Sequence, residues 1–168
     1  MRTHTMIDSV VGPLTLVVED GAIVGLYMDL QRHRPPDLEL GKPDRRGLRA
    51  QPFKAAADQL EAYFAGERTR FDLPLAARGS AFQQRVWAAL QTIPYAQTVS
   101  YGELAKRVGS PGGARAVGLA NGRNPIGIVI PCHRVVGSSG NLTGYGGGLD
   151  RKKKLLDLEL AVSGVALF

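Results

Sequence analysis

Apolar residues between positions 4 and 30 alternate with polar ones or cluster in short runs bounded by turn residues, a pattern that predicts strands. Val11-Gly12-Pro13-Leu14 marks one turn. Asp20-Gly21, set between LTLVV and AIVGLYM, marks a hairpin, because its two central positions need a left-handed backbone that Asp and Gly tolerate. Residues 31–49 carry three prolines, two glycines and many charges without periodicity, so a mobile, solvated connector is expected there. A helical period follows over 52–65: Phe53, Ala57, Leu60 and Phe64 recur at i, i+4, i+7 and i+11, and Gly66 is a stop. Phe71-Asp72-Leu73, closed by Pro74, predicts a short edge strand, and residues 76–79 read as a link to a second part.

The second part reads as mostly helical. Residues 80–92 put Phe82, Val86, Ala89 and Ile93 on one face, with Ser80 as N-cap and Pro94 beyond the end; Trp87 reads as core. Residues 100–108 open with Ser100 and Glu103 at capping-box spacing and bury Leu104 and Val108. After Gly109, Ser110-Pro111 predicts the start of another helix running through Gly122. Two short helices joined by a tight turn make a helix-turn-helix pattern, which many helical hairpins share without binding anything. The second helix is built from Gly112, Gly113, Ala114, Ala116, Gly118, Ala120 and Gly122, with Arg115 its only large side chain before Val117. Such a helix can pack tightly against a neighbour or approach a DNA groove closely. Residues 126–131 predict a buried strand or extended segment, 137–148 a Gly-rich loop, and 149–160 a helix with a basic first half. The fold class expected is α/β of the α+β kind: a small β-rich N-terminal domain, 1–77, then a mostly helical domain, 78–168, with the helix-turn-helix.

Charge changes the picture. Net charge is +6, but residues 1–77 hold 10 basic and 11 acidic side chains, and residues 78–168 hold 11 and 4. The basicity belongs to the helical half and points to a polyanionic partner. With 44% hydrophobic and 21% charged residues the chain buries a real core and is not a disordered one. No apolar run approaches the ~18 residues of a membrane span, and the N-terminus lacks a signal-type apolar stretch, so a soluble cytoplasmic protein with no membrane partner is expected. One cysteine, Cys132, excludes an intramolecular disulfide and a cysteine-based zinc cluster. His4, His33 and His133 show no ligand spacing, and no metal is expected.

The remaining chemistry sits at Pro131-Cys132-His133. A lone intracellular cysteine is most often a small buried hydrophobe. Here an apolar segment leads in, proline stiffens the approach, and a Gly-rich loop follows, which suits a nucleophile held at a cleft edge. His133 could lower the thiol pKa directly or through water. Adjacent residues on a strand point to opposite faces, so cooperation requires the chain to turn at Pro131-Cys132. A carboxylate should orient the imidazole, and the residues leave Asp157 and Glu159 as alternatives.

Ile130-Pro131-Cys132-His133-Arg134-Val135 resembles the active-site motif of the O6-alkylguanine-DNA alkyltransferases. The likeness extends to Phe82–Trp87, Ser100–Ala105, Arg115–Gly118, Asn124-Pro125 and Tyr145–Leu149, in order across residues 80–160. The resemblance implies a DNA repair protein that flips O6-alkylguanine out of a duplex and moves the alkyl group irreversibly to its own cysteine, as a monomer without a cofactor. It makes Cys132 the acceptor, His133 the water-linked base and Glu159, not Asp157, the carboxylate of the relay. By the same resemblance, Asn124 would brace the active-site turn, and Tyr101 would crowd the target phosphate and protonate the leaving guanine. Arg115 would replace the flipped nucleotide, with Ala116 and Gly118 on the same DNA-facing helix. Val135 would read the guanine amino group through its carbonyl, and Tyr145 and Gly146 would wall the pocket. Two positions depart from the pattern: Ala96 stands where many relatives have Gly, and Gly146 where some carry a hydroxyl. The competing readings are a non-catalytic helix-turn-helix DNA-binding protein and a cysteine hydrolase.

Overall fold

The computed structural model describes residues 1–164. Strands β1 (Arg2–Ile7), β2 (Leu14–Glu19) and β3 (Ala22–Met28) form an antiparallel meander, and β4 (Lys42–Pro43) pairs in parallel with β1, giving the order β3-β2-β1-β4. The hairpin forms where expected: Asp20 and Gly21 both take positive φ, 52° and 78°, matching the twist of β2 and β3. Helix α1 (Phe53–Phe64) packs on the sheet through Phe53, Ala56, Leu60 and Tyr63, all buried.

The connector over 31–49 is solvated along most of its length, as expected, but it carries short regular pieces and one buried anchor. Leu40 is buried with Val17 and Val24 on the outer side of the sheet, and short 3₁₀ turns at Asp37–Glu39 and Gly47–Arg49 frame β4. Gly41 makes this possible, since its φ is +79° and a Cβ there would lie 2.1 Å from the Arg2 carbonyl oxygen. The edge strand expected at Phe71–Leu73 does not form. The Gln59 side chain takes both backbone groups of Asp72, donating to its oxygen and accepting from its N–H at 2.9 and 2.8 Å. Pairing occurs two residues later, where Leu75 bridges Ile23.

Helices α2 (Ala81–Leu90), α3 (Tyr101–Arg107), α4 (Ala114–Gly122) and α5 (Leu149–Ser163) surround a small parallel pair, β5 (Val99–Ser100) and β6 (Val135–Val136). Ser80 and Gln83 close a full capping box on α2, while on α3 Ser100 accepts from the Glu103 N–H. Trp87 is core, donating its indole N–H to the Ala120 carbonyl at 2.9 Å. Helix α4 starts at Ala114, later than the Ser110-Pro111 signal predicts. Gly112 at φ +79° breaks the helical path, and the Gly113 N–H closes a turn on Ser110 O. A single hydrophobic cluster runs from Leu14 and Phe53 through Val86 and Leu104 to Leu155, so the core crosses from the sheet into the helices.

Candidate active site

The segment expected to be extended between Ile126 and Pro131 is instead a buried series of turns. Ile126 bridges Leu26 of β3, after which Ile128 takes φ 71° and the chain folds back. Asn124 holds both ends of this loop: its oxygen accepts from the Ile126 N–H at 3.0 Å and its amide donates to Ile130 O at 2.7 Å. The loop delivers Pro131 into a 3₁₀ turn, Cys132–Arg134. That turn removes the strand geometry that would have sent Cys132 and His133 to opposite faces.

Behind the cysteine lies a buried charge cluster. His133 Nε2 donates to Glu159 Oε2 at 2.7 Å, and both side chains are fully buried. Arg134 grips the same carboxylate with two bonds, Nε to Oε1 at 2.9 Å and Nη2 to Oε2 at 3.1 Å, and spends its third nitrogen on Ile93 O. The Tyr63 hydroxyl adds a bond of 2.6 Å to Oε2, and the Ala96 N–H one of 3.1 Å to Oε1. Burial alone would raise the Glu159 pKa; hydrogen bonds and charge from His133 and Arg134 outweigh it and hold the group down at about 2. Asp157 is exposed and pairs with Lys153. An ionised Glu159 fixes the imidazole with its proton on Nε2. Nδ1 then carries the lone pair, and it has no partner among the described residues. Burial lowers the His133 pKa, outweighing the hydrogen bond and charge of Glu159 that raise it, with Arg134 and Lys152 adding to the fall, so the neutral ring is favoured at neutral pH.

The thiol does not follow the simple expectation of a depressed pKa. Burial raises it, and the Asn124 hydrogen bond and Lys152 charge only partly offset that rise. Cys132 therefore rests as a thiol beside a neutral base, and needs a proton acceptor to become a nucleophile.

Cys132 lies in the wall of a cavity of about 480 Å³, lined also by Tyr101, Arg115, Gly118, Asn124, Tyr145 and Gly146. The α4 residues are well placed: Arg115 projects, exposed, from the first turn, and Ala116 is exposed beside it. Gly118 faces Tyr101, whose ring a Cβ would meet at ordinary contact, 3.7 Å. Val135 is fully buried in the β5–β6 pair and is not part of this wall. Glu159 and His133 stand behind the floor and do not line it.

Several participants carried no sequence signal of a role. Lys152, in a basic run that reads as a solvated helix face, is fully buried and donates to Thr143 O at 2.7 Å and Gly144 O at 3.3 Å. The Tyr101 hydroxyl donates to the same two carbonyls, and Lys152 Nζ sits 5.8 Å from that ring's centre. Desolvation lowers the Lys152 pKa to about 8. Its neighbours are also committed, Arg151 to Asp29 O and Lys154 to Val10 O. Gln31, Arg32 and His33 bring the N-terminal half into the cavity wall. Among the described residues no group of His, Cys, Asp and Glu could hold a metal ion, and no helix is long and apolar enough to cross a membrane.

Comparison with known proteins adds two family matches: the 6-O-methylguanine DNA methyltransferase ribonuclease-like domain over residues 3–77, and the DNA binding domain of the same family over 81–161. A methylated-DNA–protein-cysteine methyltransferase of Mycolicibacterium paratuberculosis is 56% identical over 161 residues, 95% of this chain and 93% of the relative. One from Methanosarcina acetivorans is 46% identical, over 93% of this chain and 97% of that one. The crystal structure of Mycobacterium tuberculosis OGT in complex with DNA superposes with a TM-score of 0.88 at 53% identity, covering 95% of this chain and 94% of that one.

Proposed function

The chain belongs to the 6-O-methylguanine DNA methyltransferase family, and from that premise we propose how its own residues carry out the repair of alkylated guanine. The protein binds DNA and transfers the alkyl group to a cysteine of its own, a methylated-DNA–protein-cysteine methyltransferase acting once per molecule. The observation that carries the residue assignment is the chain's one cysteine, in the wall of a cavity, backed by a histidine whose tautomer a buried carboxylate fixes.

The alkyl carbon of the lesion lies at the base edge within the stack, out of reach of a recessed sulfur, so the nucleotide must swing out. The basic helix-turn-helix, α3 and α4, faces the duplex. Arg115 fills the gap left in the stack, while Ala116 and Gly118 let the α4 backbone come close to the groove. His133 Nδ1 takes the thiol proton through a bound water, and Glu159 stabilises the imidazolium that forms. Asn124 holds the turn that aims the sulfur. The thiolate attacks the alkyl carbon in line, and guanine departs as Tyr101 supplies a proton at the cavity edge. Tyr145 and Gly146 wall the base. The Val135 carbonyl can read the guanine amino group only if the bound base reaches beyond the present cavity wall. A thioether is a poor leaving group, so the cysteine is not regenerated and no cofactor is called for. The protein works as a monomer on chromosomal DNA in the cytoplasm. Residues 1–77 and 78–168 act as its two domains.

The test is to incubate the protein with duplex DNA containing O6-methylguanine and weigh the peptide that holds Cys132. A gain of one methylene, with loss of activity in proportion, is expected. An unchanged mass with intact DNA binding would leave a non-catalytic DNA-binding protein, and repeated turnover would indicate a hydrolase.

A further inference from the structure

The alkyl-transfer reading explains the α4 wall of the cavity but not the wall built from Gln31, Arg32 and His33. That wall is fastened by one backbone and one side-chain bond: the Arg32 N–H donates to Gly146 O at 2.7 Å, and Gln31 Oε1 accepts from the Met28 N–H at 2.9 Å. The Arg32 side chain takes no part in this fastening. Neither Arg32 nor Arg123, which borders the adjoining groove with Gln31, His33 and Asn124, has an ion pair among the described residues. Both guanidiniums are close enough to add to the desolvation that lowers the His33 pKa. Among the described residues, no Asp or Glu lines the cavity. A pocket for a neutral methyl group needs no such cationic wall, and an unpaired cation beside a partly enclosed cavity favours an anionic ligand.

We infer that this wall recognises O6 substituents that end in an anionic group, carboxymethyl being the smallest, with Arg32 as the countercharge and Arg123 in support. The inference rests on the reading of the cavity as an alkylguanine pocket. The step is the same displacement: a bond forms between Cys132 Sγ and the CH2 carbon, and the bond from that carbon to O6 breaks. The thiol proton ends on the departing guanine, and the carboxylate remains on the thioether. Nothing is oxidised or reduced.

An exposed arginine beside a DNA-binding surface could instead contact phosphate, and free bases separate the two roles. The whole protein and its Arg32→Gln variant are reacted with free O6-carboxymethylguanine and with the isosteric, neutral O6-carbamoylmethylguanine, following the mass of the Cys132 peptide with time. The substitution keeps the backbone bond to Gly146. The carboxymethyl-to-carbamoylmethyl rate ratio is expected to fall by at least about fivefold in Arg32→Gln, and further in Arg32→Glu. A smaller change overturns the inference. So does an unmoved ratio on free bases with uniform slowing on every duplex substrate, which would make Arg32 a phosphate contact. Methyl transfer from duplex DNA is read in the same assay: its absence from the unsubstituted protein overturns the parent reading, and its presence beside an unmoved ratio overturns this one alone.

Discussion

Replacing Glu159 by Gln keeps the size of the side chain but removes the charge that His133, Arg134, Tyr63 and the Ala96 amide all address. Two consequences separate cleanly. The buried Arg134 guanidinium loses its counter-ion, which costs about 3–5 kcal/mol of stability in comparable buried pairs and would appear in denaturant unfolding. The imidazole also loses its fixed tautomer and becomes a weaker base. Single-turnover transfer should slow, with its pH dependence moved upward; an unaltered pH profile in a folded Glu159→Gln protein would remove Glu159 from the relay. If α3, α4 and the basic surface supply binding as proposed, Cys132→Ala should abolish transfer while changing DNA affinity by less than about tenfold, ~1.4 kcal/mol. A larger loss in a folded variant, measured by DNA titration, would contradict that division of roles. Ala96 offers a third test. It holds φ at 64° while presenting its N–H to Glu159, a conformation that costs a side chain but not glycine about 1 kcal/mol. Ala96→Gly is expected to stabilise the fold by several tenths of a kcal/mol in denaturant unfolding with transfer preserved.

The role proposed for helix α4 belongs to an element rather than to a residue. Its small side chains leave Arg115 as the protruding group on a helix whose backbone can come close to another surface. If Arg115 fills the gap of a flipped base, Arg115→Ala should slow repair of duplex DNA strongly while barely changing the reaction with free O6-alkylguanine, where nothing needs flipping. Equal single-turnover losses on both substrates would mean that Arg115 supports the fold of the site instead. Elements governed by local rules were readable along the chain. The Asp20-Gly21 hairpin, the Ser80 N-cap and the extent of α1 are each decided within a few residues, although the buried stripe of α1 falls on Ala56 and Tyr63 rather than Ala57 and Phe64, and the Gln83 half of the α2 capping box was not foreseen. Elements decided by distant partners were not. The late start of α4 depends on the left-handed Gly112, and the 126–131 turns depend on Asn124 holding both ends. The order over 31–49 depends on Leu40 finding Val17 and Val24. At the site, Cys132 and His133 announced themselves by their motif, and the family likeness chose Glu159 over Asp157. Lys152 did not, because a lysine in a basic helical run looks solvated until the loop carbonyls of Thr143 and Gly144 are seen above it.

Across the whole molecule, the sheet and the helices are joined at the buried Glu159 cluster. Tyr63 of α1 donates to Glu159 of α5, Leu26 of β3 pairs with Ile126, and one core runs through both halves. Tyr63→Phe removes a buried bond to a charged acceptor, so a loss of about 1.5–3 kcal/mol is expected together with slower transfer, although the residue lies far from the cysteine in sequence. Calorimetry and single-turnover rates on one sample check both. Acid should also act on the whole fold. His133 and Glu159 both have pKa values below their ordinary 6.5 and 4.5, so the unfolded chain binds more protons than the folded one. The stability they contribute is present above those values. It should decline as pH falls below about 6.5 and decline further below about 4.5, read as a falling unfolding midpoint. The burial of Cys132, the chain's one cysteine, has a different kind of consequence. In the native state the thiol is recessed in the cavity wall, whereas in denaturant every unspent molecule yields one equivalent to a sulfhydryl reagent and every spent molecule none. A colorimetric titration after unfolding therefore counts lesions repaired, and the protein keeps its own tally of them.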